Sequence, residues 1–341
     1  MLRLATKVAA GLIALAASTY SVGAQDLKPV HFSLDWALQG NHAIWALALK
    51  NKYFEENGLN VTMDRGYGSG DTVVKVAAGA YDIGFTDINA VIKFNAENPG
   101  QRLVGFYQVF DRTPNSIITL KKSGIAKPAD LAGHTIGAPE ADSSRIMFGA
   151  FAKANSIDPA SVKWVSMAPN LRETMLAQGQ VDAISGFSST SVFNLIAAGI
   201  PREDIVVIPY SDNGLDLYGS ALVAKPEYIE KNPDIIKGFV KATIEGTVAL
   251  LKDPASGMAA IKEGDPLFDE KLEADRLAYL MDIGVLKSKA FDENGLGYID
   301  PAKMETTIKT NSEVYNIAAP AADTVYTTAF LPPQAERMPP K

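Results

Sequence analysis

The chain has 341 residues, 47% hydrophobic and 21% charged, with a formal net charge of −7, three histidines and no cysteine. The acid excess argues against a surface built for phosphate backbones, and the absence of cysteine excludes disulfides, thiolate metal sites and a lipid-modified cysteine. This length exceeds the size at which one hydrophobic core stops growing, so two lobes are expected.

Met1 to Lys7 carries Arg3 and Lys7 without an acid, Val8 to Ala17 is apolar, and Val22-Gly23-Ala24 offers the small residues that a signal peptidase reads. Residues 1–24 are therefore expected to be a secretory signal peptide removed near Ala24. The apolar run is shorter than the roughly 20 residues that span a bilayer. Its removal takes the basic count from 32 to 30 against 39 acids, which leaves the mature chain near −9. A soluble, monomeric protein of a Gram-negative periplasm, with no nucleic-acid partner, is the expectation.

Hydrophobic periodicity then alternates. Residues 30–34 read as a strand, 43–57 as a helix, 61–65 as a strand, 71–78 as a helix, 83–85 as a short buried strand, 89–98 as a helix and 103–110 as a strand. A second unit opens with a strand at 116–120. It continues through the segment 128–137, then a helix at 143–155, a strand at 162–165, a helix at 171–178, a strand at 182–184, a helix at 191–198 and a strand at 205–209. Residues 219–224 return to the first unit, and helices at 233–251, 255–263, 269–283 and 301–315 pack back onto it. Strands alternating with helices of this length argue for doubly wound, mostly parallel sheets. Crossings near 114–116 and 218–220 place 25–115 with 221–341 in lobe I and 116–220 in lobe II.

Three sets of residues sharpen this reading. The first is Leu34-Asp35-Trp36-Ala37-Leu38-Gln39-Gly40-Asn41-His42, followed by Tyr53-Phe54-Glu55-Glu56-Asn57-Gly58-Leu59. The second is a doubled phrase, Gly79-Ala80-Tyr81-Asp82-Ile83-Gly84 and Gly179-Gln180-Val181-Asp182-Ala183-Ile184; the third is Asp130-Leu131-Ala132-Gly133 before Thr135-Ile136-Gly137. In this order they resemble periplasmic solute-binding proteins of the nitrate, sulfonate, taurine and thiamine-pyrimidine class, including its pyrimidine-synthase-like branch. The resemblance implies an α/β fold of two lobes, the type II periplasmic-binding-protein fold, with two hinge crossings. It also implies the substrate-binding component of an ABC importer, which delivers a small solute to an inner-membrane permease.

In open α/β sheets, ligands sit past the carboxyl ends of the strands. The candidate ligand-binding residues there are Asp35, Trp36, Asn41, His42, Gly68, Ser69, Gly70, Thr86 and Asp87 from lobe I, Glu140, Ser143, Ser144 and Phe187 from lobe II, and Tyr218 at the return crossing. Trp36 is suited to stack on a planar ligand. Gly68-Ser69-Gly70 before a helix presents free N–H groups, and it reads equally as a glycine turn with Ser69 or Asp71 as N-cap. It is not a P-loop, because no Gly-Lys-Ser/Thr follows. Trp45 and Trp164 are assigned to core, His31 and His134 to structural positions.

Aromatic walls and the acids Asp35, Asp87, Glu140 and Asp142 favour a neutral or amine-bearing heteroaromatic, such as a thiamine-precursor pyrimidine. The alternative is a sulfonate, taurine or nitrate anion held by amides and hydroxyls. An enzyme is disfavoured: neither Gly-x-Ser-x-Gly nor His-Glu-x-x-His occurs. The synthase branch also carries a cysteine-rich iron-binding motif that this chain lacks. No catalytic residue, metal or cofactor is expected.

Overall fold

A computed structural model describes residues 26–340, so the expected signal peptide lies outside the described residues. Val30, Phe32 and Leu34 are fully buried along the first extended segment, β1 (Lys28–Ser33), which pairs in parallel with β2 (Leu59–Asp64) and with β3 (Ile83–Asp87). With β4 (Val104–Gln108) and β10 (Ser220–Ala224) these strands form a sheet of order β2-β1-β3-β10-β4. A second sheet has the order β7-β6-β8-β5-β9, from β5 (Asn115–Leu120), β6 (Thr135–Ala138), β7 (Lys163–Ser166), β8 (Ala183–Phe187) and β9 (Ile205–Pro209). Four strands of each sheet run the same way. The fifth, β10 or β5, lies antiparallel between two of them.

The doubled phrase has a physical basis. Gly79 and Gly179 end their helices at φ 78° and 71°, in the left-handed region that glycine enters without Cβ strain. Asp82 and Asp182 then precede β3 and β8. The Asp82 carboxylate accepts from the His31 backbone N–H at 2.8 Å, and Asp182 accepts from the Thr135 N–H at 2.8 Å. The backbone N–H of each aspartate returns a bond to the same residue's carbonyl. Each aspartate thereby fixes its strand against its parallel neighbour, β3 against β1 and β8 against β6.

Two expected helices are broken. The 43–57 segment divides into Ala43–Lys50 and Tyr53–Glu56 around Lys52 at φ 63°, and the 143–155 segment divides at Met147 into Ser143–Ile146 and Phe148–Ala154. Trp45 is fully buried against Phe32 and Phe85, and its indole N–H donates to Thr243 Oγ1 at 3.2 Å from the helix Pro233–Lys252. Gly246 on that helix lets its backbone lie directly on the Ile44 carbonyl. Trp164, by contrast, is only partly buried on β7, which flanks its sheet; it packs edge-on against Phe148 rather than in the core.

The chain passes between the sheets over 109–114 and again over 210–219. The two passes run side by side, with Gly219 N–H bonded to the Phe110 carbonyl and Thr113 N–H to the Leu217 carbonyl. Among the described residues no helix is long and apolar enough to cross a membrane.

Candidate functional site

The carboxyl ends of β1 and β3 face those of β6 and β8. Between them lies a cavity of about 20 Å³, room for about one water molecule. Asp35, Trp36, Gly68 and Ser69 line it from the first sheet, and Asp142, Ser143, Arg172, Phe187 and Thr190 from the second. Of the residues singled out in the sequence, six meet here. Trp36 and Phe187 are half-buried, and Phe187 also packs on the apolar cluster of the first sheet.

Asp35 is held from behind. His42 Nδ1 accepts the Gln39 backbone N–H at 3.0 Å, so the ring proton resides on Nε2, which donates to Asp35 Oδ1 at 3.1 Å. His42 is fully buried and lines no part of the cavity, so its expected ligand contact is corrected to one of orienting Asp35.

The glycine turn serves the interface. Gly68 has φ 129°, and a Cβ there would lie 2.7 Å from the Ala141 carbonyl of the opposite lobe. Gly70 donates its N–H to that same carbonyl at 3.0 Å, so it is corrected from a ligand contact to an inter-sheet one. Thr86 Oγ1 donates to the Ser69 carbonyl at 2.9 Å and positions the turn from below.

Asp87 is fully buried and joins the sheets. Its Oδ1 accepts from the backbone N–H and the amide of Asn89, and its Oδ2 accepts from Asn115 Nδ2 and Ser143 Oγ. Burial pushes its carboxyl above the usual range, and these hydrogen bonds only partly offset that. Ser144 Oγ donates to Asn115 Oδ1 at 2.8 Å within the same network.

Four further expectations are corrected. Thr86, Asp87 and Ser144 lie beside the cavity but do not line it, and Asn41 is buried away from it. So are two more: Glu140 is exposed and accepts from Ser166 Oγ at 3.0 Å, while Tyr218 is buried in the core with its hydroxyl accepting the Asp300 N–H at 2.7 Å.

Asp142, one of the acids expected at the strand ends, completes the lining with Arg172 and Thr190, which were not among the candidates. Arg172 follows a short turn after β7 and is 1% exposed. Its Nη1 donates to Asp142 Oδ2 at 2.9 Å and to the Ser185 carbonyl, and its Nε donates to Glu173 Oε1 at 2.9 Å. A Cβ on Gly186 would lie 2.6 Å from Nη1, so glycine makes room for the guanidinium. Its guanidinium carbon lies 4.9 Å from the Trp36 ring centroid. Burial pushes Asp142 up despite Arg172. In Glu173 burial is outweighed by Arg172 and by the Ser191 hydroxyl, so its carboxyl falls below the usual range. The sequence signal was only an arginine after a strand; nothing in it marked the burial.

The cleft is also bridged at its rim. Thr190 Oγ1 donates to Gln39 Oε1 at 3.0 Å. From the helix Glu270–Asp282, Glu273 accepts the Gly40 N–H at 2.8 Å, and Arg276 donates to the carbonyls of Ser189 and Thr190.

A sequence profile described as "NMT1/THI5 like" matches residues 39–256. The chain is 23% identical over 233 residues to the 4-amino-5-hydroxymethyl-2-methylpyrimidine phosphate synthase of Schizosaccharomyces pombe, covering 66% of each chain, and so spans just under two thirds of that relative. It is 22% identical over 274 residues to the formylaminopyrimidine-binding protein of Halalkalibacterium halodurans, covering 75% of this chain and 78% of that one. The alkanesulfonate-binding protein of Xanthomonas axonopodis pv. citri superposes with a TM-score of 0.68 at 13% identity, over 89% of this chain and 99% of that one. The periplasmic nitrate-binding protein of Synechocystis PCC 6803 does so with a TM-score of 0.66 at 10% identity, over 89% and 87%. The fold is the two-lobe α/β fold of periplasmic solute-binding proteins.

Proposed function

From the premise that this chain belongs to the NMT1/THI5-like family, we propose that it is the substrate-binding component of an ABC importer, taking up a small planar heteroaromatic solute of the thiamine-precursor pyrimidine type. It works in the periplasm after loss of its signal peptide and hands its cargo to a membrane permease. The observation that carries this reading is the cavity between the sheets, where Trp36 and Phe187 offer apolar faces beside the carboxylates of Asp35 and Asp142. Stacking surfaces with acidic acceptors suit a flat ring bearing amines. The similarity to a formylaminopyrimidine-binding protein supports the same solute class.

The role of each lining group follows from its chemistry. Asp35, oriented by His42, accepts from a ring amine through the oxygen that His42 leaves free. Ser69 and Ser143 add hydroxyls from opposite lobes. Closure removes water from these groups and strengthens each contact. The yeast-type relatives are named synthases, but the cysteine-rich motif of that branch has no counterpart here, and binding without turnover is the reading we adopt.

A second reading, an anion of the sulfonate or nitrate kind, draws on the cation Arg172 in the lining. Asp142 and Glu173 already engage that charge. The test is a thermal-shift screen of the mature protein against aminopyrimidines, a formylaminopyrimidine, alkanesulfonates, taurine and nitrate. A ligand at 100 times its Kd adds about 2.7 kcal/mol of stability. Stabilisation by a pyrimidine supports the proposal; stabilisation by the anions alone replaces it with the second reading.

A further inference from the structure

Arg172 is more than a structural ion pair. Its Nε and Nη1 are engaged by Glu173, Asp142 and the Ser185 carbonyl, but Nη2 is buried without a hydrogen bond. Glu173 Oε1 lies 2.8 Å from Nη2, yet off the direction of its N–H bonds, and serves Nε instead. A buried N–H without a directed hydrogen bond is costly, even beside an opposite charge. This one belongs to a side chain that lines the cavity and lies over the Trp36 ring.

Resting on the planar-solute reading above, we propose that Arg172 is a specificity-determining residue. Its Nη2 donates to a neutral carbonyl oxygen on the edge of a solute lying against Trp36.

The neutral class follows from charge. Among the described residues Arg172 is the one cation lining the cavity, against Asp35 and Asp142 in the lining and Glu173 directly behind. A full anion would enter a site with an excess of carboxylates. A neutral acceptor satisfies the open N–H without adding charge, and because the donor is a guanidinium the bond is charge-assisted. A site built to meet one hydrogen-bonding group rejects an analogue lacking it far more strongly than a site that only measures size. The same guanidinium cannot turn away from Asp142 without leaving that buried carboxylate unpaired, so its geometry is fixed before the solute arrives.

The experiment is titration calorimetry with two flat probes, cytosine and 4-aminopyrimidine, which differ by the ring carbonyl, and with methanesulfonate as the anion. Wild-type protein is expected to bind cytosine about 10- to 100-fold more tightly than 4-aminopyrimidine. Arg172→Lys, which keeps the charge beside Asp142 and Glu173 but loses the fork, is expected to bring the ratio close to one. If Arg172→Lys fails to fold, Arg172→Gln combined with Glu173→Gln removes the pair together and is read in the same way. Equal binding of the two probes by wild type, or an unchanged ratio in the variants, overturns the inference and leaves the importer reading standing. Binding of methanesulfonate with neither pyrimidine bound, or of none of the three, overturns the planar-solute reading and this inference with it.

Discussion

Trp36 and Arg172 meet across the cleft, the guanidinium carbon 4.9 Å from the indole centroid, one residue from the loop after β1 and the other from the turn after β7. The contact joins the two sheets at the wall of the cavity. It also presents the indole at a position where a flat solute and a cation compete for, or share, one π face.

Trp36→Ala is therefore expected to weaken solute binding by roughly 1–3 kcal/mol, through lost stacking and buried area. The half-buried side chain contributes modestly to the fold, so the melting temperature should move little. Titration calorimetry beside a thermal melt separates the two effects. Unchanged affinity with a large fall in Tm would make Trp36 a packing residue.

Asp35→Asn tests the sign of the solute's charge. Its carboxylate accepts from His42 through one oxygen, and an amide would keep that bond while turning a donor toward the cavity. Binding of an amine-bearing ring should fall about tenfold or more, since a charged acceptor is lost. An anionic solute should instead bind more tightly. Glu140→Gln, at an exposed position paired with Ser166, is the matched control and should leave affinity unchanged.

The buried Asp87 predicts a pH dependence. Its carboxyl titrates above the usual range when folded, so folding takes up a proton between the ordinary carboxylate pKa and the raised value. More protons are bound folded than unfolded across that window, and stability falls as pH rises through it. Asp87→Asn should remove this part of the slope in denaturant melts recorded across mildly acidic pH. A slope identical in both proteins would assign it to other acids, Asp142 among them.

A cavity of about 20 Å³ admits no ring, so the proposed function requires the sheets to part before a solute enters and to close over it. The bonds Gln39–Thr190, Asp87–Ser143, Gly70–Ala141 and those from Arg276 to Ser189 and Thr190 are among the ones that cross between the lobes. Small-angle scattering should give a smaller radius of gyration with saturating solute than without it. An unchanged profile at saturation counts against two lobes that move.

Elements were legible in the sequence because period and punctuation are local. β9 was placed at its observed bounds, and the final helix Pro301–Tyr315 likewise, with Asp300 as its cap. The breaks at Lys52 and Met147 carry no glycine or proline and were missed. The site was less legible. Strand-end position singled out Asp35, Trp36, Gly68, Ser69, Ser143 and Phe187, which line the cavity, but position does not report which way a side chain is used. His42 and Tyr218 look like cleft residues by sequence and are turned inward by partners far along the chain or behind the loop. Arg172 was passed over because its burial depends on Gly186, Asp142 and Trp36, which only the tertiary fold assembles around it.

The insertion of β10 between β3 and β4 governs the order in which this chain can fold. As synthesis proceeds from the N-terminus, the first sheet lacks its interior member until residues 220–224 emerge, after the whole of the second sheet has been made. Until then β3 and β4 have no strand between them and present open edges, which are slow to satisfy because the partner is distant in sequence. The core of the first sheet is therefore completed by contacts of long sequence separation, which slows folding.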